Sequence, residues 1–128
     1  MKPSIGSIGW VDLTVEDAGS VRDFYQAVVG WSAEGCDMSG YDDYVMTQPE
    51  TGTPASGICW RRGGNAHLPT VWLVYITVAD LSASLATVRG RGGNVLAEPR
   101  SAGAHGSFAV IQDPAGAVCA LHQAVAES

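Results

Sequence analysis

Trp10-Val11-Asp12-Leu13-Thr14-Val15-Glu16-Asp17 and, further along, Leu73-Val74-Tyr75-Ile76-Thr77-Val78-Ala79-Asp80 decide the fold. Each stretch alternates between two kinds of side chain, the period-2 signature of a strand with two different faces. Each also ends in an Asp placed to cap a helix. After Asp17, Val21, Phe24, Tyr25 and Val28 recur at helical spacing; after Asp80, Leu81, Leu85 and Val88 do the same. Gly30 stands where the first helix should end in the left-handed conformation, and Gly90 to Gly93 break the second. A strand-cap-helix unit present twice at this spacing points to a pseudo-symmetric fold with a ligand-holding concave seam.

Between these anchors the first half carries β-prone runs at Trp31 to Glu34, Tyr41 to Thr47 and Gly57 to Arg61, with a loop expected over Gln48 to Ser56. The second half has strands near Val95 to Ala97, Phe108 to Gln112 and Ala117 to Gln123, with Pro99 to Gly106 expected as a mobile lip. The expected class is α+β: one domain over 1–128, with two βαβββ modules at 5–62 and 71–125 joined by a linker at 63–70.

Composition narrows the function. Apolar residues make up 46% and charged residues 16%, so the chain is neither disordered nor membrane-spanning. A net charge of −6 leaves no basic stripe for nucleic acid or an anionic membrane. The opening MKPSIGSIGW lacks a signal-type apolar core, which makes the cytoplasm the expected location. Six of the seven bases are Arg, which with the Ala, Gly and Val richness points to a GC-rich bacterial source. Cys36, Cys59 and Cys119 have no zinc-knot spacing and read as buried thiols acting as small apolar residues. No GxSxG, Walker-type loop or dinucleotide fingerprint is present.

The chain resembles the vicinal oxygen chelate superfamily of glyoxalases, extradiol dioxygenases and bleomycin-binding proteins. The resemblance rests on Val15-Glu16-Asp17, Asp23-Phe24-Tyr25, Val29-Gly30-Trp31, Gly92-Gly93 and the turn Asp113-Pro114-Ala115-Gly116-Ala117, where Ala117 replaces the usual Asn. It implies two βαβββ modules forming a cupped mixed sheet. In metal-using members, four side chains on the cup floor hold an ion. Carried over by spacing, three of those positions fall on Trp10, Leu73 and Ala120, and the fourth falls within Ser56 to Arg62, which has no Glu, Asp, His or Gln. Indole, isobutyl and methyl groups offer a divalent ion no lone pair. The expectation is therefore no metal and no cofactor.

If Val11, Leu13 and Val15 face the helix, Trp10, Asp12 and Thr14 face the cavity. The same parity puts Leu73, Tyr75 and Thr77 there, with Ala120 and His122 from the last strand. Tyr44 and Met46, or else their neighbours, join them from the third strand. Trp10 and Tyr75 can sandwich a planar ligand, or Trp10 can simply fill the volume an ion would take. Asp12 and His122 can act as an acid–base pair, or be an ordinary hydrogen-bond acceptor and a wet strand-end imidazole. Arg61 and Arg62 can meet an anionic group at the rim or merely solvate a strand end. His67 and His105 read as solvated loop residues.

The leading expectation is a metal-independent protein that binds a hydrophobic or aromatic small molecule, such as an antibiotic or natural-product intermediate. A metal-free lyase, isomerase or cyclase using Asp12 and His122 is the alternative, and a structural or partner-binding domain the third. Exposed sheet edges make a homodimer possible.

Overall fold

The two aspartates cap as expected. Asp17 accepts from the backbone N–H of Ser20 at 3.0 Å and Asp80 from that of Ala83 at 3.1 Å, satisfying donors that a helix start leaves open. Residues 3–125 are described in the computed structural model, and both halves run β-α-β-β-β. The first half is β1 (Ile8–Val15), α1 (Ala18–Val29), β2 (Ser32–Asp37), β3 (Asp42–Thr47) and β4 (Pro54–Trp60). The second is β5 (Trp72–Thr77), α2 (Leu81–Gly90), β6 (Asn94–Ser101), β7 (Ser107–Gln112) and β8 (Val118–Gln123). Gly30 ends α1 at φ 87°, a conformation that costs glycine nothing and most residues about 1–2 kcal/mol.

The chain forms two compact units. The α1 unit is Val11–Trp72; the α2 unit is Leu73 onward together with the N-terminal segment through Trp10. That segment joins the α2 unit through the backbone: Gly6 N–H donates to Thr77 O at 2.7 Å, and Thr77 N–H to Ser7 O at 2.9 Å. Within the α1 unit β2, β3 and β4 are antiparallel neighbours in turn, and β4 pairs with β1 in parallel. Within the α2 unit β6, β7 and β8 repeat the antiparallel run, and β8 pairs with β5 in parallel. Both half-sheets are thus mixed, with the parallel partner supplied after a helical crossover, as parallel pairing requires.

Each unit buries its own core between helix and sheet. Leu13, Val15, Ala18, Met46 and Ile58 form one, with Val21 and Tyr25 of α1 packed on it. Leu81, Leu85, Ala109, Ile111 and Leu121 form the other. The α1 stripe is only half used: Val21 and Tyr25 point inward, whereas Phe24 and Val28 stay 57% and 64% exposed. Among the described residues no helix is long and apolar enough to cross a membrane.

Two expected loops turn out otherwise. β4 starts at Pro54, because Pro54 lies opposite Thr47 across a register shift in the β3–β4 ladder. The expected lip is also ordered: β6 runs through Ser101 over two register shifts, and Gly103–His105 forms a 3-10 turn closed by Ala102 N–H to Gly106 O at 2.7 Å.

The asymmetry of α1 gives a direct check. Ile58→Ala, at a site with no exposure, should cost roughly 2–5 kcal/mol. Val28→Ala should stay within about 0.5 kcal/mol. Urea midpoints of the two variants measure this, and equal losses would contradict the burial of one face only.

Candidate functional site

The core on the helix side fixes which residues lie on the opposite face of each half-sheet. In the α1 unit, Leu13, Val15 and Ile58 belong to the core, so Asp12 and Thr14 of β1 and Gly57 and Cys59 of β4 lie on the other face. The ladders align them: Asp12 pairs with Gly57, Thr14 with Cys59, and Cys36 with Asp43. The Cys59 thiol donates to the Asp43 carboxylate, which joins Cys36, Asp43, Cys59 and Thr14 into one row across four strands. Asp43 also accepts the backbone N–H of Trp60 at 3.0 Å.

Met46 and Tyr44, expected on the ligand face, lie on the helix side instead. Met46 has no exposed surface and sits in the α1 core; Tyr44 packs against that core and carries the Arg22 guanidinium of α1 4.6 Å above its ring. The reason is register. Tyr44 pairs with the core residue Ile58 and Met46 with Ser56, two residues from it on the same strand. Their neighbours Asp43 and Val45 take the opposite face, the other possibility that parity allows.

Burial pushes the Cys59 thiol up, and the nearby Asp12 and Asp43 carboxylates push it further, since each resists a second negative charge. Cys59 is therefore held as a neutral thiol. It is also the one soft-donor candidate in the fourth-strand window, which sequence inspection for Glu, Asp, His and Gln passed over. A metal would need it as thiolate. Trp10, Leu73 and Ala120 supply no donor atoms to go with it, and among the described residues no group of three or more His, Cys, Asp or Glu is placed to hold an ion. The donor set does not fit the metal the resemblance implies. Cys36 is exposed rather than buried, against expectation, because β2 presents it on an open surface; all three thiols are free.

In the α2 unit, Leu121, Ile111 and Ala109 belong to the helix-side core, which leaves Tyr75, Ala120, His122, Phe108 and Val110 on the other face. Tyr75 pairs with Ala120 and Thr77 with His122. Leu73, Thr77, Val110 and Ala120 are buried; Trp10, Tyr75 and His122 are partly open. The Tyr75 ring meets Phe108 at 5.7 Å between centroids and 59° between planes, a tilted pair. Phe108 was missed from the sequence, although the alternation that places Ala120 and His122 also places it. The His122 ring bonds through Nε2 to the backbone carbonyl of His105, so the loop around His105 serves a side chain of the site.

Both arginines expected at a rim are taken. Arg61 reaches Glu16 at 3.3 Å, the Thr14 carbonyl at 3.2 Å and the Thr70 hydroxyl at 2.6 Å; Arg62 lies 3.7 Å over the Tyr41 ring. Aromatics also gather beside the α1 core, where Trp72 Nε1–H donates to the Tyr25 hydroxyl at 3.3 Å and both rings adjoin Trp31.

The model of the Glyoxalase/Bleomycin resistance protein/Dioxygenase superfamily matches residues 7–121. CFP32 of Mycobacterium tuberculosis is 31% identical over 113 residues, covering 88% of this chain and 42% of that protein. The anthracycline biosynthesis protein DnrV of Streptomyces peucetius is 29% identical over 128 residues, covering 91% and 46%. The chain thus spans less than half the length of these curated relatives. A Streptomyces coelicolor methylmalonyl-CoA epimerase variant in complex with 2-nitronate-propionyl-CoA matches at TM-score 0.56 and 20% identity, covering 96% of this chain and all (100%) of that one. That likeness is one of fold.

The Cys59 environment is checkable by alkylation. Iodoacetamide should modify Cys36 readily in the native protein near neutrality and Cys59 far more slowly. Asp43→Asn removes one of the charges that raise the Cys59 thiol, so its alkylation profile should shift to lower pH and its rate near neutrality rise several-fold. An unchanged profile would show that Asp43 does not govern the thiol.

Proposed function

The chain belongs to the Glyoxalase/Bleomycin resistance protein/Dioxygenase superfamily, and on that premise we propose that it is a metal-independent binding protein for a hydrophobic or aromatic small molecule. One observation carries the reading: Trp10, Leu73 and Ala120 stand on the strands where metal-using relatives are expected to place donors. They give that surface apolar and aromatic area in place of lone pairs. Ligand affinity then comes from burying a flat molecule, at about 25 cal/mol per Å² of apolar area removed from water. Tyr75 and Phe108 add an aromatic wall, and His122 a polar group that orients a ligand.

Charge narrows the class further. The face of the α2 unit formed by Tyr75, Phe108, Val110, Ala120 and His122 carries no Lys or Arg. A neutral aromatic suits this surface better than a phosphate-bearing thioester of the kind the epimerase neighbour holds. DnrV, by its name a protein of anthracycline biosynthesis, makes a polycyclic natural product or its intermediate the class to try first.

A second reading, a metal-free lyase, isomerase or cyclase in which His122 moves the proton, is favoured by the fixed orientation of His122. In that case His122→Ala would abolish turnover and leave binding intact. The exposed Phe24 and Val28 on α1 favour a homodimer, with the cytoplasm as the place of action.

Thermal shift with polycyclic aromatic compounds tests the leading reading, since a ligand at 100 times its Kd stabilises the folded state by about 2.7 kcal/mol. At least one such compound should raise the Tm, equally with and without EDTA, and Trp10→Ala should weaken its binding tenfold or more. Coenzyme A thioesters should have no effect. No response to any polycyclic compound, or a response that disappears with EDTA, would overturn the reading.

A further inference from the structure

His122 is held in a way that fixes its chemistry. It lies on β8, on the face opposite the core residue Leu121, beside Thr77 on one strand and Phe108 on the other. Its Nε2 bonds to the backbone carbonyl of His105. A carbonyl oxygen only accepts, so Nε2 must carry the proton, and in the neutral imidazole Nδ1 is left as a bare lone pair. Among the described residues Nδ1 has no hydrogen-bond partner.

The loop supplying that carbonyl is firmly seated. Its ends are tied by Ala102 N–H to Gly106 O at 2.7 Å, and Gly106 has φ 102°. A Cβ at Gly106 would stand 2.0 Å from the Gln123 carbonyl, so no other residue fits without moving the loop off β8. Gln123 in turn caps α2, its Oε1 accepting from Leu81 N–H at 2.7 Å. The His105 carbonyl is therefore placed by the same strand end that places α2.

Resting on the reading of an aromatic-ligand receptor, we propose that the ligand carries a phenolic or enolic hydroxyl that donates to Nδ1 of His122, and that the His105 carbonyl fixes the receptive tautomer. Around this acceptor the α2 unit offers the Tyr75–Phe108 ring pair and the buried Leu73, Val110 and Ala120 for the hydrocarbon part of the molecule. A hydroxyl finds its acceptor already oriented; a methyl ether leaves Nδ1 unpaired once it is cut off from water. His122 is thus a binding residue and His105 a positioning residue that acts through it.

Two measurements test this. Long-range ¹H–¹⁵N spectra of histidine-labelled protein should show His122, assigned by its loss in His122→Gln, as the Nε2–H tautomer. Gly106→Ala should mix its tautomers. An Nδ1–H ring in the unaltered protein would overturn the proposal. Calorimetry with 2-hydroxyanthraquinone and 2-methoxyanthraquinone should favour the hydroxyl compound by about five- to tenfold. His122→Phe should bring the affinity of the hydroxyl compound down to that of the methyl ether. Equal affinities in the unaltered protein, or a preference that survives His122→Phe, would overturn the proposal but leave the receptor reading standing. Binding of no polycyclic compound at all would take down both.

Discussion

Everything about this protein's candidate site depends on which face of each half-sheet the helix covers. Side chains alternate along a strand, so packing Leu13, Val15 and Ile58 beneath α1 commits Asp12, Thr14 and Cys59 to the other face. Packing Ala109, Ile111 and Leu121 beneath α2 commits Tyr75, Phe108, Ala120 and His122 likewise. A slip of one residue would put the carboxylates in the core and the leucines on the ligand face. Several buried aliphatic side chains in each unit, each contributing about 1.5–3 kcal/mol, make such a slip prohibitive.

The faces defined in this way differ in chemistry. That of the α1 unit is polar: a row of Cys36, Asp43, Cys59 and Thr14 with Asp12 close by, in which the carboxylates keep the Cys59 thiol neutral. That of the α2 unit is aromatic and aliphatic, with a single imidazole held by a backbone carbonyl. Among the described residues, neither face groups three or more His, Cys, Asp or Glu side chains where an ion could sit.

Much of this was legible in the sequence. Strong alternation and two capping aspartates announced both βαβ openings, and parity from Leu13 and Val15 placed Asp12 and Thr14 correctly. The third strand was ambiguous because Asp43-Tyr44-Val45-Met46 carries large side chains on both parities; only the register of Tyr44 on Ile58 resolves it. The sequence also hid Asp43 and Cys59 as partners, since their meeting depends on the ladder register of β3 on β4, which includes a shift. The role of His105 was beyond reach for another reason: its backbone, not its side chain, makes the contact. Half of the α1 stripe misled for a third, because helical periodicity marks apolar residues without saying which of them the sheet will cover.

The central claim is that binding here proceeds without a bound ion. Metal content of the purified protein, determined by inductively coupled plasma mass spectrometry after dialysis against metal-free buffer, tests it most directly. The account predicts zinc, nickel, manganese and iron each far below one equivalent per chain. A full equivalent of any of them, retained through dialysis, would contradict it.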